Sequence, residues 1–296
     1  MDLLKQHPVV CFGEVLWDIL PGGSVPGGAP VNVAYHLQKL GANPALVTRV
    51  GYDKEGMELV KVFADSGLCT DFFQIDYEYD TGRVIGRPGA SHEMNYEIAV
   101  PSAWDHIGWD ASYEQLILGS EYLVFGSLAC RNNVSRETLD RLFGFSKCRV
   151  LDLNLRRPFY DRDIVEHLLD NCEVLKLNIA ELELITGWFS GYRTVQERVK
   201  LIRDRFRIEM IVITMGGEGA WLNVGEEFLF HPGFPVAIAD TVGAGDAFLA
   251  GMLKGMLDGL PHEKILGQAS QMGAFVASRA GACPKYEREE LFLTIH

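Results

Sequence analysis

Near its C-terminal end the chain reads DTVGAGDAF, from Asp240 to Phe248. Three small residues, Gly243, Ala244 and Gly245, stand before the carboxylate of Asp246, and an apolar run, AFLAGMLKGML, follows it. That run reads as a helix buried on most of its sides. The small residues would then present backbone N–H groups at the helix N-terminus, where the helix dipole also favours an anion such as phosphate. A carboxylate beside a phosphate is repelled by it. Asp246 makes sense if it takes the proton from a hydroxyl that attacks phosphorus, because in-line phosphoryl transfer needs amides for the developing charge and a base for the nucleophile. Aspartate is also a common helix cap, and the spacing alone leaves both readings open.

The usual alternative phosphate devices are missing. There is no G-x-x-x-x-G-K-[ST] loop, no G-x-G-x-x-G after the first strand-like run, and no H-R-D or D-F-G signature. The net charge of −13 argues against nucleic acid or an anionic membrane as partner. Six scattered cysteines, Cys11, Cys69, Cys130, Cys148, Cys172 and Cys283, form no C-x-x-C pair and read as core thiols rather than a zinc or redox site. The apolar stretch from Val9 to Leu20 is interrupted by Glu14 and Asp18, so no signal peptide is expected, and no run is long enough to span a bilayer. These features point to a soluble protein of a reducing compartment, the cytoplasm.

The elements that must position this chemistry alternate. PVVCF, ALVTRV, EYLVFG, CRVLDL, EVLKLN and EMIVIT read as strands, most of them followed by a helical pattern. PVNVAYHLQKLG is a helix closed by Gly41, and DKEGMELVKVFADSG is a helix with Asp53 as its N-cap. Such alternation implies an α/β fold, a doubly wound, mostly parallel sheet with helices on both faces, in one domain over 1–296. The stretch from about 72 to 100 breaks the rhythm with strand-like pieces, the turn residues Gly86, Pro88 and Gly89, and no helix. A β hairpin is expected there, either a lid over a reactive site or a surface ornament. Ligands of such sheets sit beyond the carboxyl ends of the strands. Asp18, Asp152, Asn154, Asn178 and Thr214 all fall near such ends.

At this point the sequence resembles the ribokinase/PfkB family of sugar kinases, and within it the fructokinases. DTVGAGDAFLAG resembles the family's C-terminal signature and PGGAPVNVAYHLQKLGA its N-terminal one. GEVLWD, RVGYDKEG, DLNLR, KLNIAELELITG and ITMGGEGA recur in the family's order, so that the likeness covers nearly the whole chain. It implies a ribokinase-like fold with a small β lid, from about 72–100 with a short piece near 19–27. It implies Asp246 as the base, with Gly243, Ala244 and Gly245 as the anion hole. Asp18, Gly28 and Asn32 would bind the sugar, and Gly27 and Gly28 would let backbone and sugar come close. Arg156, which with Asp152 and Asn154 is expected to point to one side of an extended segment, would face the sugar or the transferring phosphoryl. Asn178 and Glu181 would organise Mg²⁺ around the phosphates of ATP, Glu181 through water, although N-x-x-E at a helix start is also a capping box. Thr214, Gly216, Gly217 and Gly219 would hold the nucleotide's phosphates and ribose, although a Gly-rich turn also suits a plain hairpin. Gln271, Met272 and Ala274 would lie near the adenine. Asp240 and Val242 match positions that hold a monovalent cation, K⁺, in some members, and a homodimer is a common assembly.

One departure from the pattern is visible. Only 19–26 separate Asp18 from Gly27, where many relatives carry one or two extra lid strands, so the lid should be small. The activity implied is transfer of the γ-phosphoryl of Mg·ATP to a primary hydroxyl of a free sugar, fructose to fructose 6-phosphate first. A 2-keto-3-deoxygluconate kinase, a ribokinase, a nucleoside kinase and a non-catalytic sugar-sensing relative are the alternatives. Relatives acting on the keto acid commonly carry a lid arginine before a Ser-Ala pair. Here Val100 and Pro101 precede Ser102 and Ala103, with Arg83 and Arg87 on the other arm of the hairpin.

Overall fold

The computed structural model of the chain describes residues 7–88, 94–189, 191 and 194–292. Gly89, expected in the hairpin turn, lies outside them. In chain order the strands are β1 (Val9–Phe12), β2 (Leu16–Leu20), β3 (Gly23–Gly27), β4 (Ala45–Gly51), β5 (Phe73–Asp76), β6 (Gly82–Pro88), β7 (Met94–Ile98), β8 (Tyr122–Gly126), β9 (Arg149–Asp152), β10 (Val174–Asn178), β11 (Met210–Thr214), β12 (Ala220–Val224) and β13 (Glu227–His231). The helices are α1 (Ala29–Lys39), α2 (Lys54–Asp65), α3 (Ser112–Leu118), α4 (Asn133–Phe143), α5 (Arg162–Asp170), α6 (Ile179–Gly187), α7 (Val195–Phe206), α8 (Ala244–Leu257) and α9 (His262–Ala277).

The large sheet runs β13-β12-β11-β10-β9-β8-β1-β4-β5. From β11 to β5 every neighbouring pair is parallel, and β12 and β13 close one edge as antiparallel strands. The strands are apolar on both sides because both faces are covered. In β1, Val10 and Phe12 join one core while Val9 and Cys11 join the other. The first core is filled from α3 to α7, for example by Ile117, Leu139, Leu168 and Ile202. The second is filled from α1, α2, α8 and α9, for example by Leu37, Leu59, Leu249 and Ile265. This is the doubly wound architecture expected from the alternation. Asp53 caps α2 by accepting from Gly56 N at 2.7 Å.

A separate sheet runs β3-β2-β6-β7. It differs from the expectation in two ways. The stretch near 19–27 is not a short appendage but two paired strands, β2 and β3, beginning already at Leu16. The stretch from about 72 is divided, because β5 pairs with β4 in the large sheet and only β6 and β7 belong to the small one. Asp18 therefore lies within a strand, opposite Val25 of β3 and Val84 of β6. No helix among the described residues is long and apolar enough to cross a membrane.

Candidate active site

Gly243 is the N-cap of α8 at φ 74°, a left-handed conformation that costs glycine little. A Cβ there would also stand 2.6 Å from the Cα of Ala282. Ala244 N–H donates to Thr241 O at 3.3 Å, whereas among the described residues no group accepts from the N–H of Gly245 or Asp246. Of the amides expected to form an anion hole, Ala244's is thus engaged inside the loop and Gly245's is not.

The Asp246 side chain is 9% exposed and does not cap its helix. Its Oδ2 accepts from Asn32 Nδ2 at 2.8 Å, across 214 positions of sequence. Burial pushes its carboxyl up to about 6, with Asp152 pushing the same way and Lys176, Asn32 and Arg156 opposing. Asn32 reaches it from α1, whose N-cap Gly28 has φ 118°, and a Cβ on Gly28 would stand 2.5 Å from Glu14 O. The other end of Asn32 is also engaged, since Oδ1 accepts from Cys283 Sγ at 3.3 Å. The 282–286 segment clamps α1 in place. His36 bonds Ala282 O and the Tyr286 hydroxyl, each at 2.9 Å, and burial pushes its imidazole down to about 4, so it is neutral.

Asp18 lies on the small sheet, within reach of the Arg156 charge that also acts on Asp246. Its carboxylate lies against Gly27, where any Cβ would overlap Oδ2. Burial pushes Asp18 up to about 6, and Arg156 opposes the shift. The Arg156 guanidinium is exposed, in the loop after β9, and its field reaches Asp18, Glu14 and Asp246 alike. The segment with Asp152, Asn154 and Arg156 is not extended throughout, since Asn154 adopts φ 41°, but Asp152 and Asn154 still line one cavity, and the Arg156 charge acts on Asp246 as the Asp152 charge does.

Asn178 and Glu181 do form a capping box. Asn178 Oδ1 accepts from Glu181 N, and Glu181 Oε2 accepts from Asn178 N, both at 2.9 Å. Glu181 Oε1 accepts from Leu155 N at 2.7 Å, so each carboxylate oxygen keeps one lone pair. That arrangement fits contact with a hydrated Mg²⁺ through water better than direct ligation. The loop with Thr214, Gly216, Gly217 and Gly219 is the hairpin between β11 and β12, with Met215 N–H donating to Gly219 O at 2.9 Å. Gly219 is packed against His231 O and has no room for a side chain, whereas Gly216 and Gly217 face open space. Gln271 Nε2 donates to Leu291 O at 2.7 Å, and Met272 beside it is buried. Asp240 accepts from Val242 N at 3.0 Å and from Gly281 N at 3.1 Å, and Val242 is 44% exposed.

Two buried charges of this site lie outside the expected set. Glu14, just after β1, accepts from Ala29 N at 3.2 Å and is pushed up to about 7 by burial. Lys176 on β10 pairs with Asp152 on β9. The signal for Lys176 was present in EVLKLN, since a lysine between two leucines breaks a strand that should be apolar on both sides.

The family model for the pfkB family carbohydrate kinases matches residues 21–288, nearly the whole chain. This chain belongs to the pfkB carbohydrate kinases. Among curated members, a fructokinase of Klebsiella pneumoniae is 26% identical, over 92% of this chain and 93% of its own. An ATP-dependent 6-phosphofructokinase of Thermoanaerobacterium thermosaccharolyticum is 27% identical, over 94% of this chain and 90% of its own. A crystal structure of the Vibrio cholerae O395 fructokinase, with fructose, ADP and calcium bound, superposes with a TM-score of 0.83 at 22% identity, covering 98% of this chain and 99% of that one. As a pfkB kinase the protein is a phosphotransferase with a carbohydrate as acceptor, and its ribokinase-like α/β fold is that of the family.

Proposed function

We propose that this pfkB kinase transfers the γ-phosphoryl of Mg·ATP to a primary hydroxyl of a free sugar, fructose at C6 first, with Asp246 as the general base. The observation that carries this reading is the buried Asp246 carboxylate, fixed by Asn32 on one oxygen and set beside the unpartnered amides of Gly245 and Asp246. The free oxygen of Asp246 takes the hydroxyl proton. The sugar oxygen then attacks the γ-phosphorus, and the bond to the β–γ bridging oxygen breaks, so that ADP leaves with the electron pair. The amides and Arg156 hold the negative phosphoryl oxygens, and Asp18 accepts from sugar hydroxyls. Asn178 and Glu181 would hold the waters of a Mg²⁺ ion, which would neutralise phosphate charge when bound. The small sheet, which carries Asp18, serves as the lid that excludes water.

A neutral sugar is favoured over an acid or a sugar phosphate because Arg156 is committed to the transferring phosphoryl and the other arginines on and beside the small sheet are already paired. Arg83 bonds Glu55 at 2.5 Å, Arg87 lies 3.5 Å from Glu97, and buried Arg131 bonds Asp105 at 2.6 Å. No arginine stands just before the Ser102-Ala103 pair, where Val100 and Pro101 are found and Val100 is 62% exposed. A buried unpaired carboxylate would be costly. Fructose should therefore show a kcat/KM at least about 10-fold above 2-keto-3-deoxygluconate, ribose, adenosine and fructose 6-phosphate, a gap of roughly 1.4 kcal/mol. Side-by-side steady-state kinetics at saturating Mg·ATP measure this. Preference for the acid or the phosphate sinks the fructose assignment, and no ADP release with any of the five sinks the kinase assignment in favour of a sugar sensor.

We also propose a K⁺ site at Asp240 and Val242, immediately before the anion loop. Activity should then be higher in K⁺ than in matched Na⁺ or large organic cation. Equal rates in all three remove the ion from the account.

A further inference from the structure

A buried ammonium lies beneath the anion loop. Lys176 Nζ stands 2.8 Å from each oxygen of Asp152, and both side chains are less than a tenth exposed. A Cβ placed on Gly245 would come to 3.3 Å from the same Nζ, so the ammonium lies against the residue whose amide has no partner among the described residues. Asp152, Asp246 and Glu181 are the acidic groups whose fields act on it. A buried ion pair is a poor stabiliser, often no better than well-packed apolar side chains of similar volume. Two apolar residues on β9 and β10 would fill this part of the core without desolvating any charge. The pair is therefore weakly explained as a structural element.

We propose that Lys176 is the fixed cation of the phosphoryl-transfer site. Asp152 occupies two of its donor directions and aims the ammonium, and the remaining N–H and the charge act on the transferring phosphoryl past Gly245. Position 245 carries no side chain because one would stand in that path. Lys176 gives up no proton in the step. The hydroxyl proton goes to Asp246, the new bond joins the sugar oxygen to phosphorus, and ADP takes the electron pair of the broken bond. Such a preorganised charge counts most in a water-excluded site, where it stabilises charge that develops in the transition state. This inference rests on the kinase reading above.

The test compares the wild type with Lys176→Gln and with the double variant Asp152→Asn/Lys176→Met, using sugar-dependent ADP release and thermal melting. The single variant strands the Asp152 charge and should lose both stability and kcat. The double variant removes both charges, so its melting temperature should recover. Its kcat should stay down by roughly 10²–10³-fold, with KM for sugar within a few-fold of wild type. If kcat recovers together with stability, Lys176 is structural and the inference is overturned. If either variant keeps wild-type kcat, it is overturned as well. A wild type with no sugar-stimulated ADP release overturns the kinase reading itself, a result plainly different from an active wild type with active variants.

Discussion

Replacing Asp246 with asparagine should lower kcat by roughly 10²–10⁴-fold, the scale for loss of a general base. The change keeps shape and polarity, and the new amide oxygen can still accept from Asn32. ATP and sugar should therefore bind within a few-fold of wild type, which isothermal titration would show. The same variant should be more thermostable at pH 8. The folded Asp246 has a pKa of about 6, above the ordinary value of 3.8, so it favours folding most at low pH and becomes a penalty as pH rises through 6. Asparagine removes that penalty, and the melting temperature should rise by about 2–5 °C. Turnover within a few-fold of wild type would show that the base is another group.

Gly245→Val should be nearly as damaging to turnover, for a different reason. A Cβ at 245 already lies 3.3 Å from Lys176 Nζ, and the branched methyl groups would fill the space where phosphate meets the amides. Sugar-dependent ADP release should fall at least about 100-fold, as when preorganised donors to a developing oxyanion are lost. Overpacking of this kind costs about 1–3 kcal/mol, so the protein should remain folded at 25 °C, with a lower melting temperature by calorimetry. Unaltered turnover would mean that the phosphates lie elsewhere.

The parts of this molecule that were legible in the sequence are those whose cause is local. Strand and helix alternation follows from apolar runs and caps such as Asp53, and the α8 loop announces itself through Gly243, Ala244, Gly245 and Asp246. The extent of the small sheet was underestimated because β2 and β3 are short, carry Asp18, Gly23 and Pro26 and are joined through Gly22, a composition that reads as a connection. Their strand character comes from pairing with each other and with β6. Asn154 interrupts the extended segment through a single left-handed residue, which asparagine tolerates better than most, although Asp152 and Asn154 still line one cavity. The same local logic that marks Asn178 and Glu181 as a functional pair also makes them a capping box, and the hydrogen bonds are those of the box. The Asp152–Lys176 pair joins residues 24 positions apart on adjacent strands. Its meaning depends on α8 passing above it, which no local pattern contains.

The most direct test of the base assignment is the pH dependence of kcat with fructose and saturating Mg·ATP, from pH 5 to pH 8. Asp246 can accept a proton only when ionised, and burial among Asp152, Lys176, Arg156, Asn32, Glu14 and Cys283 sets its pKa at about 6. The account expects a plateau at the alkaline end and a single-proton fall centred near pH 6 that persists in Glu14→Gln, whose own carboxyl sits near 7. A kcat that stays constant down to pH 5 would contradict it.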